Sequence, residues 1–215
     1  MTNTTQTLRF LTKDLSVSRE TLASLVEYER ILSVWTKKIN LISAGSVDNI
    51  WTRHILDSAQ VFLKIPQGVK TVADLGSGAG FPGMVLAIIA KELRPDLNFK
   101  LVESDQRKAV FLREVCRILD VSVSVMDSRI EKFNALDVDV VTARALAPFG
   151  VLFGYAERHL RAGGVGIFLK GERFIPEIKE ALLEWEFKIK KEESETNNKS
   201  FILTITELRR LNGEG

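Results

Sequence analysis

The chain has 215 residues, 45% hydrophobic and 27% charged, and its 30 basic and 28 acidic side chains leave a formal net charge of +2. That composition is ordinary for a folded globular protein and excludes disordered, collagen-like and low-complexity chains. The length allows one or two domains with a substantial core, and a single cysteine excludes a disulfide framework or a thiolate metal cluster. No apolar run approaches the roughly 18 residues of a membrane span, and the first residues lack the pattern of a secretory signal. The expected setting is the cytoplasm, with no membrane partner. Near-balanced charge excludes a global basic field, so any nucleic-acid contact must come from local clusters.

In chain order, residues 1–66 read as a helical extension and 67–215 as one α/β unit. Leu25, Tyr28, Leu32, Trp35 and Ile39 recur on one face of an amphipathic helix, with Ser18 as its N-cap. A second helix after Ser46 places Ile50, Trp51, His54, Ile55, Ser58, Val61 and Phe62 on one face, and Pro66-Gln67-Gly68 ends the region. Short β-rich runs follow at Lys70–Leu75, Asn98–Glu103, Ser122–Met126, Val138–Ala143 and Gly164–Lys170. Helical stretches separate them, the clearest being Gln106–Leu119 with a stripe of Val110, Phe111, Val115, Ile118 and Leu119. This alternation predicts a parallel sheet covered on both faces. A helix at Ile175–Leu183 and two strands, Glu186–Lys191 and Phe201–Leu208, close the chain; the polar Ser194–Ser200 between them is short enough for a hairpin.

Four of the 14 glycines fall in Gly76-Ser-Gly-Ala-Gly-Phe-Pro-Gly83, between the first strand and a helix. Glycines there permit a close approach of backbone to ligand, and a helix start offers free N–H donors. Gly78–Gly83 fits the dinucleotide pattern G-x-G-x-x-G, which several nucleotide-binding classes share. Asp74, ending the first strand, would repel a pyrophosphate and attract the ammonium of a methionine moiety. Glu103, ending the second, is suited to accept from two ribose hydroxyls. Together they favour S-adenosylmethionine over NAD, and no P-loop motif occurs.

Further segments carry a specific resemblance: Trp35 with Asn40-Leu41, Arg53-His54-Ile-Leu-Asp57-Ser58, Asp74–Gly83, Glu103-Ser104 with Arg107-Lys108, Ser128-Arg129-Ile130-Glu131, Thr142-Ala143-Arg144-Ala145 and Leu169-Lys170-Gly171. In this order they resemble the bacterial 16S ribosomal RNA guanine-N7 methyltransferases, the glucose-inhibited division protein B family. The resemblance implies a class I, Rossmann-like S-adenosylmethionine-dependent methyltransferase. It would have a seven-stranded, mostly parallel sheet whose last strand is antiparallel, with the N-terminal helical extension added. It also implies a guanine of the decoding region as substrate and the small ribosomal subunit as partner; the chain is expected to act as a monomer. By that likeness the cofactor contacts fall on Gly76, Phe81, Ile130, Glu131 and Arg144, with Glu103 and Ser104 at the strand-end position suited to the ribose. Asp74 and Gly78 join them from the loop reading above, and Ser77, Ala79 and Asp127 occupy variable places, Ser77 entering only as loop backbone.

The chemistry agrees with what is missing. Amino-group methyltransferases carry an amide or a carboxylate after the fourth strand, where this chain has Ala143-Arg-Ala-Leu-Ala-Pro-Phe149. Cytosine C5 methylation needs a thiolate, and Cys116 reads as a packed helix residue. Guanine N7 has a free lone pair, so orientation suffices without a general base. Arg144 is the residue expected to orient the reaction, with an ion pair to Asp127 or Glu131 as its bland alternative. Lys170, Arg107 and Lys108 are candidate RNA contacts, although Arg107, Lys108, Arg113 and Arg117 also read as a solvated face. His54 is read as a hydrogen-bonded packing residue and His159 as a surface residue. No metal is expected with two histidines and no cysteine cluster. A methyltransferase acting on another RNA, a protein or a small molecule remains the alternative, beside an NAD oxidoreductase and a non-catalytic cofactor-binding module.

Overall fold

The computed structural model describes residues 3–172 and 174–211. Seven strands form one sheet in the order β3-β2-β1-β4-β5-β7-β6. They are β1 (Thr71–Leu75), β2 (Asn98–Val102), β3 (Val123–Met126), β4 (Val138–Arg144), β5 (Leu160–Gly171), β6 (Trp185–Ser194) and β7 (Asn197–Arg210). All five leading strands pair in parallel, while β7 runs antiparallel to both β5 and β6. Every strand expected from sequence is present, and the apolar Val138–Arg144 run lies at the middle of the sheet. Chain order reverses between β1 and β4, because β2 and β3 build outward on one side and β5 on the other. Ligands of open α/β sheets bind at such a switch point, beyond the carboxyl ends of the strands.

Alternation along β1 divides the core into two layers: Val72 joins one, and Ala73 and Leu75 join the other. The first layer holds α4 (Gly83–Leu93), α5 (Gln106–Leu119) and the extension, in which α1 (Asn3–Arg9) leads into a π-helical turn (Phe10–Asp14) that, with α2 (Arg19–Thr36) and α3 (Asp57–Phe62), supplies the apolar side chains. The second holds α6 (Phe149–His159) and α7 (Phe174–Ala181), packed on Phe168, Leu203 and Trp185. Ser18 caps α2 as expected, its side chain accepting from the Thr21 N–H. Leu25, Tyr28 and Leu32 have no exposed surface and join Leu86 and Phe111 in one apolar cluster.

Three local expectations are corrected. The segment after Ser46 is not one regular helix: a 3₁₀ turn (Ala44–Asn49) and a π-helical turn (Trp51–Leu56) precede α3. On α5 the buried face is Ala109, Phe111, Leu112 and Val115, whereas Val110 and Ile118 face solvent. His159 is fully buried, with Nδ1 accepting from the Leu136 N–H, because β5 begins directly after it and covers the end of α6.

Candidate active site

The glycine loop is held from beneath by Asp74. This residue has no exposed surface; it accepts from the Thr142 hydroxyl at 2.8 Å and from the Gly83 N–H at 3.1 Å. Burial pushes its pKa up to about 6, against the pull of Thr142, Ser77, Gly83 and Arg144. The carboxylate is therefore turned under the start of α4 and is closed to a ligand ammonium, which corrects the direct contact expected from sequence. Ser77 is likewise inward, its hydroxyl donating to the Asp74 carbonyl and its N–H to the Val102 carbonyl.

Gly78 faces the other way. Its φ is +57°, and a Cβ built there would meet only the Gly76 carbonyl, at 3.9 Å. Its N–H donates to Glu103 Oε2 at 2.8 Å, and Glu103 Oε1 takes the Asp105 N–H at 2.7 Å. Each carboxylate oxygen keeps a further acceptor direction. An approachable backbone beside a fixed carboxylate with spare lone pairs fits a nucleoside diol, so the residues present suit S-adenosylmethionine. Ser104 is exposed next to Glu103, and Ile130 is buried in the turn after β3. Glu131 is held below the usual carboxylate range, chiefly by the Tyr155 hydroxyl. Gly76 lies under Leu146, whose Cδ1 would be 2.5 Å from an added Cβ.

Arg144, at the end of β4, is fixed by three groups from distant parts of the chain. It donates to the Arg53 carbonyl at 3.0 Å, lies over the Phe81 ring at 5.0 Å, and stands 3.8 Å from Asp57 Oδ2. Its acidic neighbour is thus Asp57. The expected alternatives are occupied elsewhere: Asp127 pairs with Arg113 at 3.0 Å, and Glu131 takes the Tyr155 hydroxyl. Asp57 Oδ1 accepts from the hydroxyls of Ser194 at 3.0 Å and Thr196 at 3.4 Å, in the β6–β7 turn. Burial pushes the Asp57 pKa up, and Arg144, Ser194 and Thr196 pull it back. His54 stacks on Phe81 at 4.8 Å, and both ring nitrogens are buried without a partner among the described residues. It packs, but without the expected hydrogen bonds. Burial, with Arg144 and Arg53 nearby, lowers its pKa to about 3. A cavity of about 640 Å³ opens here, lined in part by Arg53, His54, Asp57, Arg144, Thr196 and Ser200.

The structure does not gather the other candidates. Lys170 donates to Glu177 and to the Ala147 carbonyl, both at 2.7 Å, and is mostly buried, so it is not a free cation. On α5, Arg107 pairs with Asp105, Arg113 with Asp127 and Arg117 with Glu114, which neutralises most of the basic run; Lys108 makes no ion pair among the described residues. Cys116 is packed against the core, and burial pushes its thiol up to about 11. Among the described residues there is no group of three potential metal ligands. No described helix is long and apolar enough to cross a membrane.

Residues 21–202 match the family model described as rRNA small subunit methyltransferase G, GidB. The chain belongs to this family. It is 43% identical over 197 residues to the ribosomal RNA small subunit methyltransferase G of Ruegeria pomeroyi, a match covering 92% of this chain and 96% of that one. It is 45% identical over 200 residues to the protein of the same name from Paramagnetospirillum magneticum, covering 93% and 95%. The fold is similar to that of a SAM-dependent methyltransferase from Aquifex aeolicus, with a TM-score of 0.56 and 14% identity over 80% of this chain and 96% of that one. The chain thus has the class I methyltransferase fold, and family membership rules out an NAD oxidoreductase. Around the candidate site, sequence reasoning missed Tyr28, whose buried hydroxyl donates to the Ala79 carbonyl of the glycine loop. It also missed Ser194 and Thr196 behind Asp57. Tyr28 carried a signal, a hydroxyl on an otherwise apolar face; the hairpin residues carried none.

Proposed function

We propose that this chain transfers the methyl group of S-adenosylmethionine to N7 of a guanine in the decoding region of 16S ribosomal RNA. The observation that carries the reading is the pairing, across the sheet's switch point, of the Gly78–Glu103 cradle, clear at Gly78 and with a largely buried carboxylate, with Arg144 and its polar cavity. Family membership supplies the substrate class. Gly78 and Glu103 would hold the nucleoside part of the cofactor, with Ser104, Ile130 and Glu131 around it. Asp74 acts through the loop, by fixing Gly83 and the start of α4.

When bound, S-adenosylmethionine supplies an electrophilic methyl group, and the N7 lone pair can accept it with no proton changing hands. The residues after β4 suit such a step. The side chains of Ala145, Leu146 and Ala147 contain no proton acceptor, and Leu146 lays an apolar side chain over the loop at Gly76. Arg144 orients the base through a guanidinium whose plane is already fixed, which lowers the entropic part of the barrier. His54 stays neutral, and a conjugate acid with a pKa near 3 makes it a poor base.

The test is to offer methyl-labelled S-adenosylmethionine to the purified chain with 30S subunits, naked 16S RNA, ribosomal proteins and a metabolite extract in parallel. The reading predicts label in 16S RNA only. Label in protein or small molecules would overturn it.

A further inference from the structure

The Arg53-His54-Ile55-Leu56-Asp57-Ser58 segment is left without a task by the cofactor and by the transfer step, yet it supplies the buried carboxylate of the cavity. We propose that Asp57 and Arg144 together read the Watson–Crick edge of the target guanine, the base entering the cavity between the extension, the end of β4 and the β6–β7 turn. The inference rests on the function proposed above and names the residues that select its substrate.

The chemistry is a matter of complementary order. The guanine edge presents an acceptor, O6, followed by two donors, N1–H and the N2 amino group. Enzymes that act on a base in RNA or DNA read that edge once the base is out of its stack. A guanidinium beside a carboxylate offers the complement, a donor followed by acceptors. Here the two stand 3.8 Å apart at their nearest atoms, too far for a closed ion-pair hydrogen bond. Arg144 is kept from collapsing onto Asp57 by the Arg53 carbonyl and the Phe81 ring. Asp57 is kept from turning away by the Ser194 and Thr196 hydroxyls on Oδ1, so that Oδ2, which faces Arg144, is the oxygen whose two lone pairs accept from N1–H and the N2 amino group. Adenine would set a donor against the guanidinium and a bare lone pair against the carboxylate, so both contacts would repel. The π-helical turn from Trp51 to Leu56 delivers Asp57 to this place, and such turns recur at functional sites.

The arrangement leaves N7 free, since the contacts use the six-membered ring. Methylation there makes the base cationic and its N1–H more acidic. A carboxylate on N1–H therefore binds the transition state more tightly than the ground state, and its loss lowers kcat as well as binding.

The test uses 30S subunits carrying either guanosine or inosine at the methylated position, inosine lacking only the N2 amino group. For the wild-type chain, single-turnover transfer is expected to fall by about 10-fold or more on inosine, the usual effect of losing a hydrogen bond to a charged group. Asp57→Asn is expected to slow transfer to guanosine and to shrink the guanosine-to-inosine ratio to about 3 or less. Calorimetry should show its S-adenosylmethionine affinity unchanged, a readout that a collapsed site would not preserve. An Asp57→Asn chain that keeps the wild-type ratio would overturn the inference. So would a wild-type chain that treats both subunits alike, which needs no variant to fold. Transfer to neither subunit by the wild-type chain would instead overturn the proposed function, and this inference with it.

Discussion

Arg144 joins a backbone carbonyl of the extension, a ring of the glycine loop and a carboxylate beside the C-terminal hairpin. Removing it should cost transfer and leave the fold, since its partly exposed guanidinium lies at the edge of the core. Arg144→Ala is expected to reduce single-turnover methylation by at least ~30-fold, about 2 kcal/mol of charge-assisted contact. Arg144→Lys should recover little, because an ammonium lacks the planar fork; wild-type rates in either variant would contradict this. His54 gives a stability prediction with a definite sign. Its folded pKa, about 3, lies below the ordinary 6.5. The contribution is present above about 6.5 and lost as pH falls toward 3. Asp74 has the opposite sign: with a folded pKa of about 6 against 3.8, its contribution is present below 3.8 and lost as pH rises through 6. His54→Phe removes only the first. The thermal midpoint should drop between pH 7.5 and 5 by less in His54→Phe than in wild type; an equal drop would contradict the neutral, buried His54. At this scale the strand-end positions of Glu103 and Arg144 were legible because each follows a short apolar run beside a local motif. Asp57 with Ser194 was not, because 137 residues separate them and only the folded sheet brings them together.

Among the elements, the loop from Gly76 to Gly83 separates two kinds of glycine. At Gly83 an added Cβ would lie 2.3 Å from a Leu101 methyl and 2.7 Å from Asp74 Oδ2, where packed atoms leave no room. At Gly78 the space is open but the φ is positive, and a side chain would point to the side proposed for the cofactor. Gly83→Ala is therefore expected to lower stability by about 1–3 kcal/mol in denaturant titration, with part of the loss from overpacking. Gly78→Asp should keep a folded spectrum and lose S-adenosylmethionine binding by calorimetry. The reverse outcome, a stable Gly83→Ala and a cofactor-binding Gly78→Asp, would place the ligand elsewhere. Strands and the α2 cap were readable because period-two runs and an N-cap serine are local signals. The π-helical turn at Trp51–Leu56 was not, since it satisfies the same apolar spacing as a regular helix and differs only in the packing that widens it.

Across the whole molecule the extension is part of the fold and of the site. Tyr28 holds Ala79, Gln6 and Gln60 reach the β6–β7 turn, and Lys64 pairs with Glu192 at 2.7 Å. Leu11, Leu25, Leu32 and Leu56, all without exposed surface, share one cluster with Val72, Leu86 and Phe111. A chain beginning at residue 67 would uncover that cluster, and it is expected to be insoluble or to lack a cooperative thermal transition. A stable truncated chain that still binds S-adenosylmethionine would show the extension to be a mere appendage. Composition and charge gave no hint of this union, because a helical extension with one apolar stripe reads the same whether it docks on its own sheet or on a partner. The account as a whole is tested most directly by mass-spectrometric mapping of 16S RNA from 30S subunits incubated with the purified chain and S-adenosylmethionine. It predicts one new 7-methylguanosine in the decoding region, and no label on adenine or cytosine. A methyl on the N2 amino group, or on any base other than guanine, would contradict it.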